Sequence, residues 1–215
     1  MKLTQNLIIF DLETTAHENE DGTQSNDNII QIGAVYLRKS LTNYEIEDTF
    51  NALVKPKDEV ISPFITELTG ITNEMVKDRP YFDEVGPQFA EWASRGKNLK
   101  STRLCAWGTY FDIPILRSHY VKNKIKYPFS GTAYDVKTWA ALWMMLSGRR
   151  TDKLSVEAVM KAMAIRASGQ YHNALFDAEC TAKIALRIFN DLDKGFFVTS
   201  PEFSKTVHFK AFETR

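Results

Sequence analysis

Apolar residues fall along this chain in two textures, short unbroken runs and stripes at helical spacing, and the boundaries between them outline the fold. The run Leu7-Ile8-Ile9-Phe10, within a segment Asn6 to Phe10, fits a strand buried on both faces. Ile29 to Tyr36 and Glu47 to Val54 are further strands rich in β-branched and aromatic residues, and the three together predict an antiparallel meander. Between the first two, Ala16 to Asn28 is almost devoid of apolar residues and reads as a solvated loop. The texture then turns helical. Ser62-Pro63 supplies a cap and first position, Gly70 a break, and Phe82 to Ala93 a helical stripe. Leu104 to Trp107 is a short buried strand followed by a helix from about Ile113 to Val121, which restores βα alternation and predicts an α/β sheet. Helices follow over Val136 to Leu146, Leu154 to Ala164 and Ala174 to Leu192. The last carries the stripe Leu175, Ala178, Ala182, Ala185, Leu186 and Phe189. The tail from Phe196 onward is expected to pack on the same domain.

At 215 residues the chain suits one domain with a sizeable core, here read as 1–215 with its motifs between about 5 and 192. Apolar residues at 44% and charged residues at 25% match an ordinary globular protein. No run reaches the roughly 18 apolar residues of a spanning helix, so the expectation is a cytoplasmic protein with no membrane contact. The 27 basic and 27 acidic residues balance, which excludes a general electrostatic clamp on nucleic acid but leaves a local one open. Cys105 and Cys180 are expected to be buried free thiols.

The first run ends in Asp11 and Glu13, two carboxylates that share one strand face at its exposed end. Two such acids repel unless a cation lies between them. Asp112 is expected between the strand ending at Trp107 and the next helix, and Asp177 on the first turn of the long helix, where the helix dipole by itself favours an acid. His172 precedes it on a loop containing Gly169. Four carboxylates at element ends plus a loop histidine meet the demands of two-metal phosphodiester hydrolysis, in which two ions roughly 4 Å apart clamp the attacking and departing oxygens. A carboxylate site without cysteine suits Mg2+ or Mn2+, two per site, rather than zinc. A histidine near neutrality can deprotonate the attacking water.

Five segments in order, "IIFDLETT" from Ile8, "IIQIGAV" from Ile29, "ELTGIT" from Glu67, "WGTYFD" from Trp107 and "HNALFDA" from His172, make the chain resemble the DEDDh branch of the DnaQ-like 3′→5′ exonucleases. That resemblance implies an RNase H-like fold, a mixed five-stranded sheet flanked by helices. It implies that Asp11, Glu13 and Asp177 hold one metal, that Asp11 bridges to a second supported by Asp112, and that His172 is the general base. It further implies that the backbone at Thr14 holds the terminal sugar and that Leu68 and Ile71 pack on the terminal base. For these last two, ordinary core packing is an equally good reading.

Trp107-Gly108 departs from the histidine-asparagine pair usual in polymerase proofreading. With "IEDTF", "ISPFITELTGIT" and "KYPF", it makes the chain look more like the KapD-like and small-RNA-trimming exonucleases. The expected substrate is the 3′ end of single-stranded RNA or DNA, with RNA slightly favoured, and a protein partner is left open. The alternatives are a DNA-directed exonuclease for proofreading, repair or phage DNA metabolism, and a catalytically silent binding module, whose mark would be a missing acid or histidine. Tyr110 and Trp139 could stack on bases, whereas Phe111 reads as core. Lys122, Lys124 and Lys126 form one candidate phosphate-binding run and Arg149, Arg150 and Lys153 another, against the alternative of a solvated surface.

Overall fold

The computed structural model describes residues 6–15, 28–40, 43–57, 60–96, 99, 102–150 and 153–194. The expected C-terminal packing and most of the polar loop after Thr15 lie outside them. Five strands, β1 (Asn6–Thr14), β2 (Ile29–Lys39), β3 (Tyr44–Leu53), β4 (Thr102–Ala106) and β5 (Tyr134–Asp135), form one sheet in the order β3-β2-β1-β4-β5. The β1–β2 and β2–β3 pairs are antiparallel, as the meander predicts, while β4 runs parallel to β1 and β5 parallel to β4. The sheet is therefore mixed. Helices α1 (Pro63–Thr69), α2 (Asn73–Val76), α3 (Phe82–Ser94), α4 (Thr109–Lys122), α5 (Val136–Ser147), α6 (Val156–Ala162) and α7 (Ala174–Asp193) flank it.

Strand β1 is central, and its apolar run is continuous because both faces are covered. Leu7 and Ile9 point with Val35, Leu37 and Cys105 into a core closed by α5, α6 and α7. Ile8, Phe10 and Leu12 point the other way, into a core closed by α3 and α4. A smaller cluster of Ile30, Ile61, Ile65, Ile71 and Val76 lies under α1 and α2. Edge strand β3 exposes Glu45, Ile46 and Glu47, and a charged edge of this kind discourages further strand pairing. Cys105 and Cys180 are both buried and free. Among the described residues, no helix is long and apolar enough to cross a membrane.

Local chemistry sets the helix ends. Ser62 accepts a hydrogen bond from the backbone N–H of Ile65, Pro63 follows at the first helical position, and Gly70 closes α1 at φ 74°. Asp135, Ser155 and Asn173 cap α5, α6 and α7 in the same way.

The longest helix, α7, is fixed at both ends. Near its C-terminus the buried Asp191 carboxylate accepts from Trp143 Nε1 and Arg187 Nε, each at 2.9 Å. At its N-terminus the Ala174 N–H donates to Gln31 Oε1 at 3.0 Å, and Gln31 Nε2 is itself held by Asn51 Oδ1 at 2.9 Å. Here the helix backbone touches the sheet at Gly33, where an added Cβ would lie 2.0 Å from the Leu175 nitrogen and 2.1 Å from the Ala174 carbonyl carbon. Backbone cannot yield as a side chain can. Gly33→Ala is accordingly expected to lower stability by about 3 kcal/mol, the upper part of the usual overpacking range, and to push the start of α7 off the sheet. Urea denaturation alongside metal titration checks this: a variant with unchanged stability and metal affinity would show that the close approach is dispensable.

Candidate active site

The register of β1 on β2 sets Asp11 opposite Gly33 and Glu13 opposite Gln31, so both acids stand on the face that receives α7. They lie within the strand, which runs on to Thr14, and not at a water-facing end as the apolar run alone suggested. Glu13 is buried and Asp11 half-buried. The seat of α7 on Gly33 then delivers Asp177, in its first turn, to the same place. Asp11, Glu13 and Asp177 each present one oxygen within 4.8 Å of the others.

Asp112 arrives from the opposite side. It sits in the first turn of α4, which begins at Thr109 and not near Ile113 as its apolar residues suggested. Gly108, at φ 84°, turns the chain into the helix four residues early, and its N–H is held by Asp135 Oδ1 at 3.1 Å. The buried stripe of α4 is Asp112, Ile115, Leu116, His119 and Tyr120, and its two polar members hide the pattern from a hydropathy reading. That register also corrects Phe111. It lies off the stripe, 43% exposed, and lines the cleft in place of the core.

His172 occupies a tight loop with φ 62°, a left-handed conformation uncommon for a residue with a side chain. Its backbone N–H donates to Asp177 Oδ2 at 2.8 Å. Gly169, whose Cβ would fall 2.3 Å from the Phe176 ring, and Tyr171, edge-on to the same ring at 5.2 Å, pack the loop against α7. Asp11, Glu13, Asp112, Asp177 and His172 all line one cleft of about 450 Å³, and Trp107, Tyr110, Phe111 and Tyr171 contribute aromatic walls.

Of the residues expected to touch substrate, only Tyr110 lines this cleft, 77% exposed at its mouth. Thr14 is buried beside a register shift that follows Glu13. Leu68 is partly exposed on α1, and Ile71 is packed into the small core cluster. Trp139 lies away from the cleft, between the rings of Tyr134 and Phe189. Sequence reasoning missed Ser155, Val156 and Glu157, at the start of α6, which also line the cleft. The available signal was a serine cap with an acid in the first turn, at the start of a helical stripe.

Burial raises the pKa values of all four acids, and neighbouring charge adds to the rise for the two on β1. Burial, followed by the charges of Asp112, Glu13 and Asp177, holds the Asp11 carboxyl well above the usual range. Burial and the charges of Asp177 and Asp112 push Glu13 up to about 8. Asp112 is pushed up to about 7 by burial, opposed by backbone N–H donors including that of Leu12. Asp177 is raised by burial and moderated by the hydrogen bond from His172. A divalent cation is the natural counter-charge for such a group, and a donor set of carboxylate oxygens alone suits a hard ion. The residues present fit one.

Sequence comparison settles the lineage, since residues 8–185 match the RNase T family, described as Exonuclease. The chain belongs to that exonuclease family. It is 34% identical over 188 residues to a DNA polymerase III PolC-type protein of Caldanaerobacter subterraneus, covering 87% of this chain and 12% of that one. It is 29% identical over 204 residues to ERI1 exoribonuclease 2 of Xenopus laevis, covering 86% of this chain and 28% of that one. The chain thus spans only a small part of these relatives. Among solved structures, the nuclease domain of 3′hExo, a DEDDh family member bound to rAMP, superposes with a TM-score of 0.73 at 23% identity, covering 87% of this chain and 93% of that one. The RNase H-like fold of that neighbour is therefore the fold of this chain.

The raised acids give a pH dependence of defined sign. Between the ordinary carboxylate pKa near 4 and the raised values of about 7 and 8, the metal-free folded protein binds more protons than the unfolded chain. Its stability should therefore fall as pH rises through that window. Asp11→Asn removes one of the repelling charges and is expected to melt at or above metal-free wild type at pH 8. Mg2+ at ten times its dissociation constant should stabilise wild type by about 1.4 kcal/mol, or roughly 3–6 °C for a chain of this size, and the variant far less. Scanning fluorimetry with EDTA and with Mg2+ decides this, and equal Mg2+ shifts in the two proteins would mean that the acids do not share a metal site.

Proposed function

We propose that this chain is a single exonuclease domain that removes nucleotides from the 3′ end of single-stranded nucleic acid as nucleoside 5′-monophosphates. The supporting observation is the set of three carboxylates within 4.8 Å, joined through Asp177 to the backbone of an exposed histidine in the same cleft. Asp11, Glu13 and Asp177 hold a divalent ion, with Asp112 serving a second, and Mg2+ or Mn2+ is the assignment. Bound there, such ions supply charge stabilisation to the attacking and departing oxygens of the phosphodiester.

His172 takes the proton of the attacking water. Its imidazole is free to approach solvent, while its backbone is positioned by Asp177. Tyr110 and Phe111, exposed at the mouth, stack on terminal bases. The occupant of the cleft is one unpaired strand, so a duplex end must first fray, at a cost of a few kcal/mol.

RNA is the first reading of the substrate, supported by the Trp107-Gly108 motif and by the likeness to an exoribonuclease. The PolC-type match, higher in identity, favours DNA as the second. Matched RNA and DNA oligonucleotides labelled at either end, digested with Mg2+ or Mn2+, distinguish the two. Shortening is expected from the 3′ end, abolished by EDTA and slower on duplexes. Loss of nucleotides from the 5′ end first, or cutting of a circular strand, would overturn the assignment. His172→Ala should lower kcat by about 10²- to 10⁴-fold with metal binding retained, and a fully active variant would remove the histidine from the chemistry.

A further inference from the structure

The catalytic cleft adjoins a trough around α6. Ser155 and Glu157 line both the cleft and a neighbouring depression of about 600 Å³. Glu157 and Tyr171 line both the cleft and a second depression of about 770 Å³, and Lys161 is shared by the two depressions. Both depressions therefore abut the cleft that holds the four acids, at Ser155, Glu157 and Tyr171.

Its charge is unlike that of the whole chain, in which acids and bases balance. Arg150, Lys153, Lys161, Arg166 and Lys183 line the two depressions, against the acids Glu157 and Glu179. Among the described residues, none of Arg150, Lys161, Arg166 and Lys183 is engaged in an ion pair. These cations come from the segment after α5, from α6, from the turn beyond it and from α7, so only the fold gathers them.

The other basic run, Lys122 to Lys126, has no such path. Lys122 ends α4, ten residues from Asp112, or about 15 Å at the helical rise. Neither Lys122, Lys124 nor Lys126 lines the cleft or either depression.

We propose that the trough around α6 is a track for the phosphates of the substrate strand upstream of the scissile bond, with Lys161 at its centre. This rests on the exonuclease reading given above. The acids that hold the metal, and Glu157 at the cleft wall, repel every phosphate except the one being cut, and the cations that line the depressions beyond that wall offset the repulsion for the rest of the strand. Backbone recognition of this kind is indifferent to base sequence and sensitive to salt.

The test uses Lys161→Gln with Arg166→Gln, two exposed positions whose neutral replacements leave the fold intact by circular dichroism. Binding of a fluorescent strand of about twelve nucleotides is followed by anisotropy in EDTA, where cleavage cannot occur, and dinucleotide hydrolysis is measured separately with Mg2+. The double variant should bind the long strand about tenfold more weakly near physiological salt, with the slope of log K against log salt reduced by about 1.4 for two lost contacts on a single strand. Its kcat/KM on the dinucleotide should equal that of wild type. Lys122→Gln with Lys126→Gln should leave strand binding unchanged.

Unchanged long-strand affinity and salt slope in the Lys161/Arg166 variant would overturn the track. So would an equal loss in the Lys122/Lys126 variant, because the effect would then be one of net charge. Failure of wild type to hydrolyse the dinucleotide would count against the exonuclease reading alone, since strand binding in EDTA still decides the trough.

Discussion

The geometry of this protein depends on the contact between the first turn of α7 and the bare backbone of Gly33. A side chain there would overlap the helix backbone, so the helix could not settle against the sheet. Because Gly33 is paired with Asp11, the point of closest approach is also where the sheet presents its acids. Three carboxylates from two distant segments converge as a result. Gln31, one pleat away, fixes the rotation of the helix by accepting its first N–H. The histidine loop, the aromatic pair Tyr171 and Phe176, and the wall shared with α6 all take their positions from the same helix.

Close packing of acids is tolerated because the backbone supports two of the four. Leu12 donates an N–H to Asp112, and His172 donates one to Asp177, which favours the charged forms of those two groups. Among the described residues, no comparable donor opposes the rise for Asp11 or Glu13, where burial and neighbouring charge both act upward. The central strand thus carries the two acids most in need of a cation, and the flanking helices carry the two that are partly satisfied without one. His172 links the two roles, since the residue that carries the imidazole also steadies a carboxylate of the cluster.

How far the sequence revealed this arrangement varied with the range of the forces involved. The antiparallel meander, the α1 cap at Ser62-Pro63 and the long α7 were legible because each is decided by neighbours in sequence. The acids on β1 were legible as a pair on one face for the same reason. The start of α4 was not, since it depends on a left-handed glycine, and the helix buries Asp112 and His119 where an apolar stripe was sought. Phe111 was misassigned in consequence. Strand β5, two residues long, carries no periodicity of its own and exists because β4 offers it a partner. The role of Gly33 is a tertiary contact with a helix more than a hundred residues later. Nothing in the segment "IIQIGAV" announces it.

Glu13 and Asp112, with values of about 8 and 7, retain part of their protons at neutral pH when no metal is bound. Loading the site is then an exchange in which an incoming cation displaces hydrogen ions, and the apparent affinity for the metal rises with pH. The same burial that brings the carboxylates together therefore favours their protonated forms, which lowers their mutual repulsion ahead of any encounter with metal. Occupancy becomes a reading of two concentrations at once, that of the ion and that of the proton, and acidification alone would empty the site of metal without disturbing the architecture around it.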